Sequence, residues 1–364
     1  MKSLSRLALP KVFSVLTLSL ALASGLTAAD ADARTLNFST PAPPTDRPTN
    51  DALLWWADEV EKRTEGSISI KIHWLQSLVK YKDAARGVKS GVADIAPMTP
   101  EYTMAQNPLL ALSSTETGPG DNYVATEAWR RASENFEPLL EEYRRMGARP
   151  IGFYSSGARV NMSSTRPYLT PDDFKGDKVR LTPRSVNAAN INNWDVTPVN
   201  ITFADFYSAM ERGTIDGAQS YLYLMAPYKH NEVSDYVVET DLGQSLVVVL
   251  MNERVWGSLS DEEQKVFEDL LPEYIERMTK AGLEEAAMAK DLLINHPTYA
   301  VEYFELDDKQ KQAWEKDLAP ATEQYVADRA KQNPAATELH ERFFDALQEV
   351  KKEVAEQGYP WDRK

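Results

Sequence analysis

The chain has 364 residues, a formal net charge of −15 and no cysteine. This acidic balance argues against nucleic acid and anionic membrane surfaces as partners, and its plainest use is solubility. The absence of thiols excludes thiolate metal sites and thiol nucleophiles, and it leaves an oxidising compartment open.

The first residues are not expected to belong to the fold. Lys2, Arg6 and Lys11 form a positive start, the run Val12 to Leu26 is uncharged and mostly apolar, and Ala31-Asp32-Ala33 has the small-residue pattern of a cleavage site. This is the layout of a secretory signal peptide. Its apolar core is short for a membrane span, which needs about 20 residues. Cleavage is expected after Ala33, with Ala29 and Ala31 as alternatives, giving an exported protein one charge unit more negative than the full chain.

From there the pattern alternates strand and helix. "TLNFST" alternates apolar and polar residues and reads as a strand, closed by the Pro-rich "PAPPTDRP". "NDALLWWADEVEKRTEG" reads as a helix with Asn50 as cap and Gly66 as stop. "SISIKIHW" is the next strand, "KDAARGVKSG" a helix ending near Gly91, and "VADIAPM" a buried strand. This order predicts a mostly parallel sheet covered by helices. "NYVATEAWRRASENFEPLLEEYRRMG" reads as one long helix stopped by Gly147, followed by the strand "RPIGFYS".

A second α/β series follows. "ARVNMSS" and "DKVRLTP" read as short strands flanking a helical turn that Thr170 caps and Pro171 opens. "SVNAANINNW" and "TFADFYSAMERG" read as helices, with strands at "DVTPVNI" and "TIDGAQS". "SLVVVLMN" is apolar enough for the middle of a sheet. Ser260 and Glu263 form a capping box for a helix running to about Asn295, and the remainder from about Asp307 reads as helical. About 330 residues exceed what one hydrophobic core usually holds, so two domains are expected.

Catalytic motifs are missing. His73, His230, His296 and His340 lie far apart without metal-ligand spacing, and there is no HExxH, GxSxG, P-loop or GxGxxG after a strand. Adjacent acids such as Asp172-Asp173 and Glu141-Glu142 suit helix ends and solvated faces. No metal or cofactor is expected. Arginine beside aromatics stands out instead. Arg159 follows a strand and a glycine turn, and Arg180 sits inside the apolar stretch "KVRLTPR". A partly buried arginine needs a polar or anionic partner, which can be internal or a ligand. Arg184 is open between a cleft residue and a surface charge. Trp55, Trp56, Trp74 and Trp194 fit packing better than ligand stacking, while Tyr221 and Tyr223 alternate so that one ring can turn inward.

The segment Leu169 to Ser220 resembles the DctP-type solute-binding proteins of tripartite ATP-independent periplasmic (TRAP) transporters. Their helical turn ending in "KG" followed by "K-x-R" is met by "FKGDKVR", and their later elements by "VTPVNITFADFYSAMERGTIDG". "WWADEVEKRTEGSISIKIHW" with "GVKSGVADIAPM", and "NERVWGSLSDEEQKVFEDLL" further on, extend the likeness over the whole mature chain.

The resemblance implies a two-domain periplasmic-binding-protein-like α/β fold, with crossing strands, a long spanning helix and a ligand cleft between the domains. It implies domain I at 34–154 plus 244–285, domain II at 155–243 plus 286–330, and a C-terminal helical segment at 331–364 after the signal peptide at 1–33. It implies a periplasmic, non-enzymatic protein that delivers a small molecule to TRAP permease subunits, and a monomer is expected. By match to the family pattern, Arg180 is the arginine that binds a ligand carboxylate, Arg159 the assisting arginine and Phe203 the aromatic against the ligand. Ser220, Thr99 and Tyr102 line the cleft, and Trp194 and Tyr221 complete the candidate set.

The ligand class expected on this basis is a small organic acid. Several positions depart from the family pattern: Asp195 in place of glycine, Asn200-Ile201 in place of "P-M", and Ser220 in place of a longer amide. A small amine or zwitterion held by aromatics therefore stays open as the ligand. A secreted α/β enzyme acting on a carboxylate and a stand-alone ligand sensor remain the readings from other classes.

Overall fold

The structure is a computed structural model and describes residues 33–363. The expected signal peptide, apart from Ala33, lies outside the described residues, and among them no helix is long and apolar enough to cross a membrane.

The first half begins with β1 (Arg34–Ser39), α1 (Pro48–Arg63), β2 (Ile68–His73), α2 (Ala84–Ser90) and β3 (Ile95–Met98). α1 starts earlier than its sequence suggested. Pro48 occupies the first turn, where its missing N–H costs nothing. Asn50 is not the cap: its side-chain amide donates to the carbonyls of Pro43 and Thr45 at 2.9 and 2.7 Å and ties down the proline-rich turn. After β4 (Thr115–Pro119), the expected single helix is two, α3 (Asn122–Ser133) and α4 (Glu137–Met146). Asn135 breaks them by adopting φ 53°, and Pro138 suits the first turn of the second helix. β5 (Ala148–Ser155) follows.

The second half holds β6 (Arg159–Ser163), β7 (Asp177–Arg180), α5 (Pro183–Asn192), β8 (Val196–Pro198), α6 (Phe206–Glu211), β9 (Gly217–Tyr221), α7 (Leu222–Met225) and β10 (Tyr236–Glu239). In the turn before β7, Thr170 caps as expected, and Asp173 completes a capping box with it. β11 (Leu242–Gln244) leads into β12 (Leu246–Asn252) and α8 (Glu253–Trp256). The chain ends with α9 (Asp261–Asn295), β13 (Glu302–Glu305), α10 (Asp308–Gln332) and α11 (Ala335–Gln357).

The strands form two main sheets. One has the order β2-β1-β3-β12-β5 and the other β13-β10-β6-β9-β7-β8, while β11 pairs with β4 in a separate ribbon. The first sheet is parallel only from β2 to β3. β12 runs antiparallel to both β3 and β5, a mixture that the strand–helix alternation did not reveal. All seven residues of β12 are buried, as befits a strand covered on both faces.

Each sheet carries its own core. Phe38, Trp56, Phe267 and Tyr274 pack on one face of the first sheet, with Trp56 within 6.0 Å of the other three rings. Val160, Met162, Phe206, Ala218 and Val237 fill one face of the second, and Phe174, Val179, Trp314 and Leu318 fill another. The backbone crosses between the two lobes at 156–158 and again at Ser245. At the second crossing Gly243 has φ 62°, and a Cβ there would lie 2.5 Å from the Thr115 carbonyl oxygen. α9 also crosses: Phe267, Leu270 and Tyr274 join the first core, and Leu293 joins the second. Its length, roughly 50 Å at 1.5 Å per residue, suits that span.

Candidate functional site

A cavity of about 960 Å³ lies between the two sheets. The first lobe contributes Tyr81, the end of β3 with Thr99, Glu101 and Tyr102 after it, the end of β5 with Tyr154, and the start of β12. The second lobe contributes Arg180 at the end of β7, Phe203 from the loop before α6, Ser220 and Tyr221 from β9, and Tyr223 and Tyr228 beyond them. α9 closes the back with Tyr274 and Met278. Most of these positions lie at or just past carboxyl ends of strands, where α/β sheets leave open side-chain space.

Arg180 is half-buried, and its position is set by backbone oxygens. Nη1 donates to the Gln219 carbonyl at 3.0 Å and Nε to the Ile201 carbonyl at 3.4 Å, while the guanidinium lies 5.3 Å from the Phe206 ring centre. Among the described residues it forms no salt bridge, neither with Asp195 nor with Asp205. Gln219 is itself fixed, because its Oε1 accepts from the Thr182 N–H at 3.0 Å. The charge is therefore held in place without being neutralised by a protein carboxylate.

The other arginines differ sharply. Arg159 does not line the cavity; it is 3% exposed, ion-paired with Glu116, and donates to the Thr115 carbonyl at 2.8 Å. Glu116 also accepts from the hydroxyls of Thr182 at 2.9 Å and Ser185 at 3.3 Å, so the pair ties the crossing ribbon to the start of α5. Arg184 is buried too, donating to the Ala111 carbonyl at 3.0 Å with its guanidinium 4.0 Å from the Tyr325 ring. Arg47, which sequence reasoning passed over, does line the cavity, but Glu285 neutralises it.

Of the other residues singled out in the sequence, Thr99, Tyr102, Phe203, Ser220 and Tyr221 are brought together around the cavity. Trp194 is not. It packs against Phe174 and Trp314, both 5.7 Å away, and its indole N–H donates to Asp317 at 2.7 Å.

Sequence reasoning missed Tyr81, Tyr154, Tyr228 and Glu101. Tyr154 and Glu101 had a usable signal, lying at or just after the end of a strand, whereas Tyr81 and Tyr228 sit in loops without one. Tyr81 meets Phe203 edge-on at 5.6 Å across the cavity, and Phe203 meets Tyr228 at 5.3 Å. Burial pushes Tyr102 and Tyr228 up to about 12, and Tyr81 well above the usual phenol range. The phenols therefore stay protonated, and the walls combine apolar faces with neutral hydroxyls. Among the described residues no cluster of His, Asp and Glu could hold a metal.

Two lobes of helix-covered sheet around a deep, aromatic-lined cavity holding an un-neutralised arginine define a ligand-binding protein of the periplasmic-binding type. The chain belongs to the bacterial extracellular solute-binding proteins of family 7 (DctP), whose model matches residues 38–328. It is a binding component of solute transport rather than an enzyme, and its family works outside the cytoplasm. The C4-dicarboxylate-binding periplasmic protein DctP of Rhodobacter capsulatus is 25% identical over 320 residues, 87% of this chain and 93% of the relative. Similar solved structures include a TRAP solute-binding protein from Rhodoferax ferrireducens in complex with copurified benzoate. It has a TM-score of 0.78 at 18% identity, covering 88% of this chain and 99% of the other. A second, from Bordetella bronchiseptica with bound (R)- and (S)-mandelate, has a TM-score of 0.76 at 17% identity, covering 87% and 99%.

Proposed function

We propose that this protein captures a small organic acid in the periplasm by closing its two lobes, with Arg180 binding the ligand carboxylate, and hands it to TRAP permease subunits. The observation that carries this reading is Arg180, the arginine on the cavity wall whose charge, among the described residues, no carboxylate neutralises. A planar guanidinium can engage both oxygens of a carboxylate, which gives strength and orientation together. The ligands named for the relatives, a C4-dicarboxylate, benzoate and mandelate, all carry that group.

Thr99, Tyr102, Phe203, Ser220 and Tyr221 form the rest of the ligand shell in this reading, together with Tyr81, Tyr154, Tyr223 and Tyr228. The moving units are a lobe of 34–154 plus 244–285 and a lobe of 155–243 plus 286–330, and a ligand touching both favours the shut state. Arg159, paired with Glu116, supports the crossing ribbon instead of the ligand. The segment before Arg34 is a signal peptide removed on export.

The test is calorimetric titration with acids found by thermal-shift screening. Arg180→Ala should weaken the bound acid by about 100-fold, since a charge-assisted bond is lost and the ligand's charge is left unpaired. Unchanged affinity in this variant would overturn the assignment.

A further inference from the structure

We propose that Glu101 is the second polar anchor of the cavity, so that the acid held by Arg180 also carries a hydrogen-bond donor, an ammonium or a hydroxyl group. The inference rests on the reading of Arg180 given above. Glu101 lies in the short helical turn Pro100–Thr103 that follows β3, and it lines the cavity. Its Oε1 accepts from the Ser245 hydroxyl at 2.9 Å. Its Oε2 is buried and, among the described residues, has no hydrogen-bond partner. A carboxylate oxygen withdrawn from water without a donor is costly, and an arriving donor relieves that cost.

The protein's own cations do not supply the donor. Arg47 is committed to Glu285 and Arg159 to Glu116, while Arg180 donates to carbonyl oxygens. Lys82, also on the lining, is exposed. Asp205, the other carboxylate on the lining, is exposed and already accepts from the Thr202 hydroxyl at 2.7 Å. Arg180 and Glu101 thus bring opposite charges to one cavity without forming a salt bridge with each other.

A ligand that is a carboxylate at one end and a donor at the other satisfies both. A plain dicarboxylate would set a second negative charge against Glu101 and be disfavoured. Tyr81 and Tyr102, which meet edge-on at 5.8 Å, both line the cavity with aromatic surface that favours an ammonium further.

The experiment measures affinity for matched sets of compounds that share a carbon skeleton, both aliphatic and aromatic: the plain monocarboxylate, the dicarboxylate, the hydroxy acid and the amino acid. On the wild-type protein, the tightest compound should be the hydroxy or amino acid of its set, by about 10-fold or more over the plain acid. The stronger of the two arms tells which donor the site prefers. Glu101→Gln keeps an acceptor for Ser245 but turns a donor toward the cavity. It should weaken that compound by about 10- to 100-fold, and the matching dicarboxylate should gain affinity. Because that gain is itself a binding signal, it also reports that the variant is folded.

A plain acid or dicarboxylate as the tightest wild-type ligand overturns the role of Glu101 and leaves that of Arg180 standing. So does a Glu101→Gln variant whose affinities stay within about two-fold of wild type. A screen in which no acid binds overturns both.

Discussion

The sequence reading gave Arg180 and Arg159 ligand roles and left Arg184 open, and the surroundings of the three side chains separate them. Arg180 keeps its charge available because only carbonyl oxygens hold it, whereas Arg159 and Glu116 cancel within a buried pair. Removing one member of such a pair leaves an uncompensated charge, so Arg159→Ala should destabilise the fold by about 3–5 kcal/mol, read as a lower denaturation midpoint. The residue scale also sets a pH dependence. Burial pushes His230 and His340 down to about 4. In the unfolded chain each takes up its proton near pH 6.5, so between that value and about 4 the unfolded state binds more protons. The stability from keeping these rings neutral is thus present above about pH 6.5 and is lost as the pH falls toward 4. The melting temperature should fall across that window, and a His230→Phe variant should show a shallower slope there.

At the scale of elements, local chemistry explains most boundaries. Ser260 and Glu263 satisfy each other's backbone N–H groups at 3.2 and 2.9 Å and start α9 where the sequence indicated. Ser260→Ala should cost about 1 kcal/mol, measurable by chemical denaturation. Two of the sequence-based boundaries that failed have equally local causes. α1 starts at its proline because Asn50 is drawn into the preceding turn. The long helix over 122–147 divides at Asn135, whose left-handed backbone outweighs the helical periodicity on either side. The antiparallel insertion of β12 between β3 and β5 had no local signal at all, since an apolar run reads the same in either direction.

For the whole molecule, the two lobes touch beside the cavity. The Tyr228 hydroxyl donates to the Pro41 carbonyl at 3.1 Å, and Tyr81 packs on Phe203. These contacts exist only while the lobes are together, so they contribute to the shut form. Tyr228→Phe keeps the ring and removes the latch, and it should weaken ligand binding by roughly five-fold, the worth of one net hydrogen bond of about 1 kcal/mol. A ligand that binds only the folded protein should raise the melting temperature, with about 2.7 kcal/mol added at a concentration 100 times Kd. Titration of the melting temperature against ligand concentration checks this value.

The sequence by itself determined the alternation of strands and helices, the capped start of α9, the α/β class and the family. All of these are written in local periodicity, turn residues and ordered short motifs. It also singled out Arg180, through a family pattern laid on a strand end. It could not separate a free arginine from a neutralised one, because the deciding partners lie far along the chain. Arg159 finds its neutralising Glu116 43 positions away, and Arg184 is buried by the Ala111 carbonyl 73 positions away and the Tyr325 ring. For the same reason the tertiary structure alone decided that Trp194 packs against the core beside Trp314, and that Tyr81, Tyr154, Tyr228 and Glu101 converge on one cavity. Charge neutralisation and the enclosure of a cavity depend on which segments the folded chain brings together, and no local stretch of sequence carries that information.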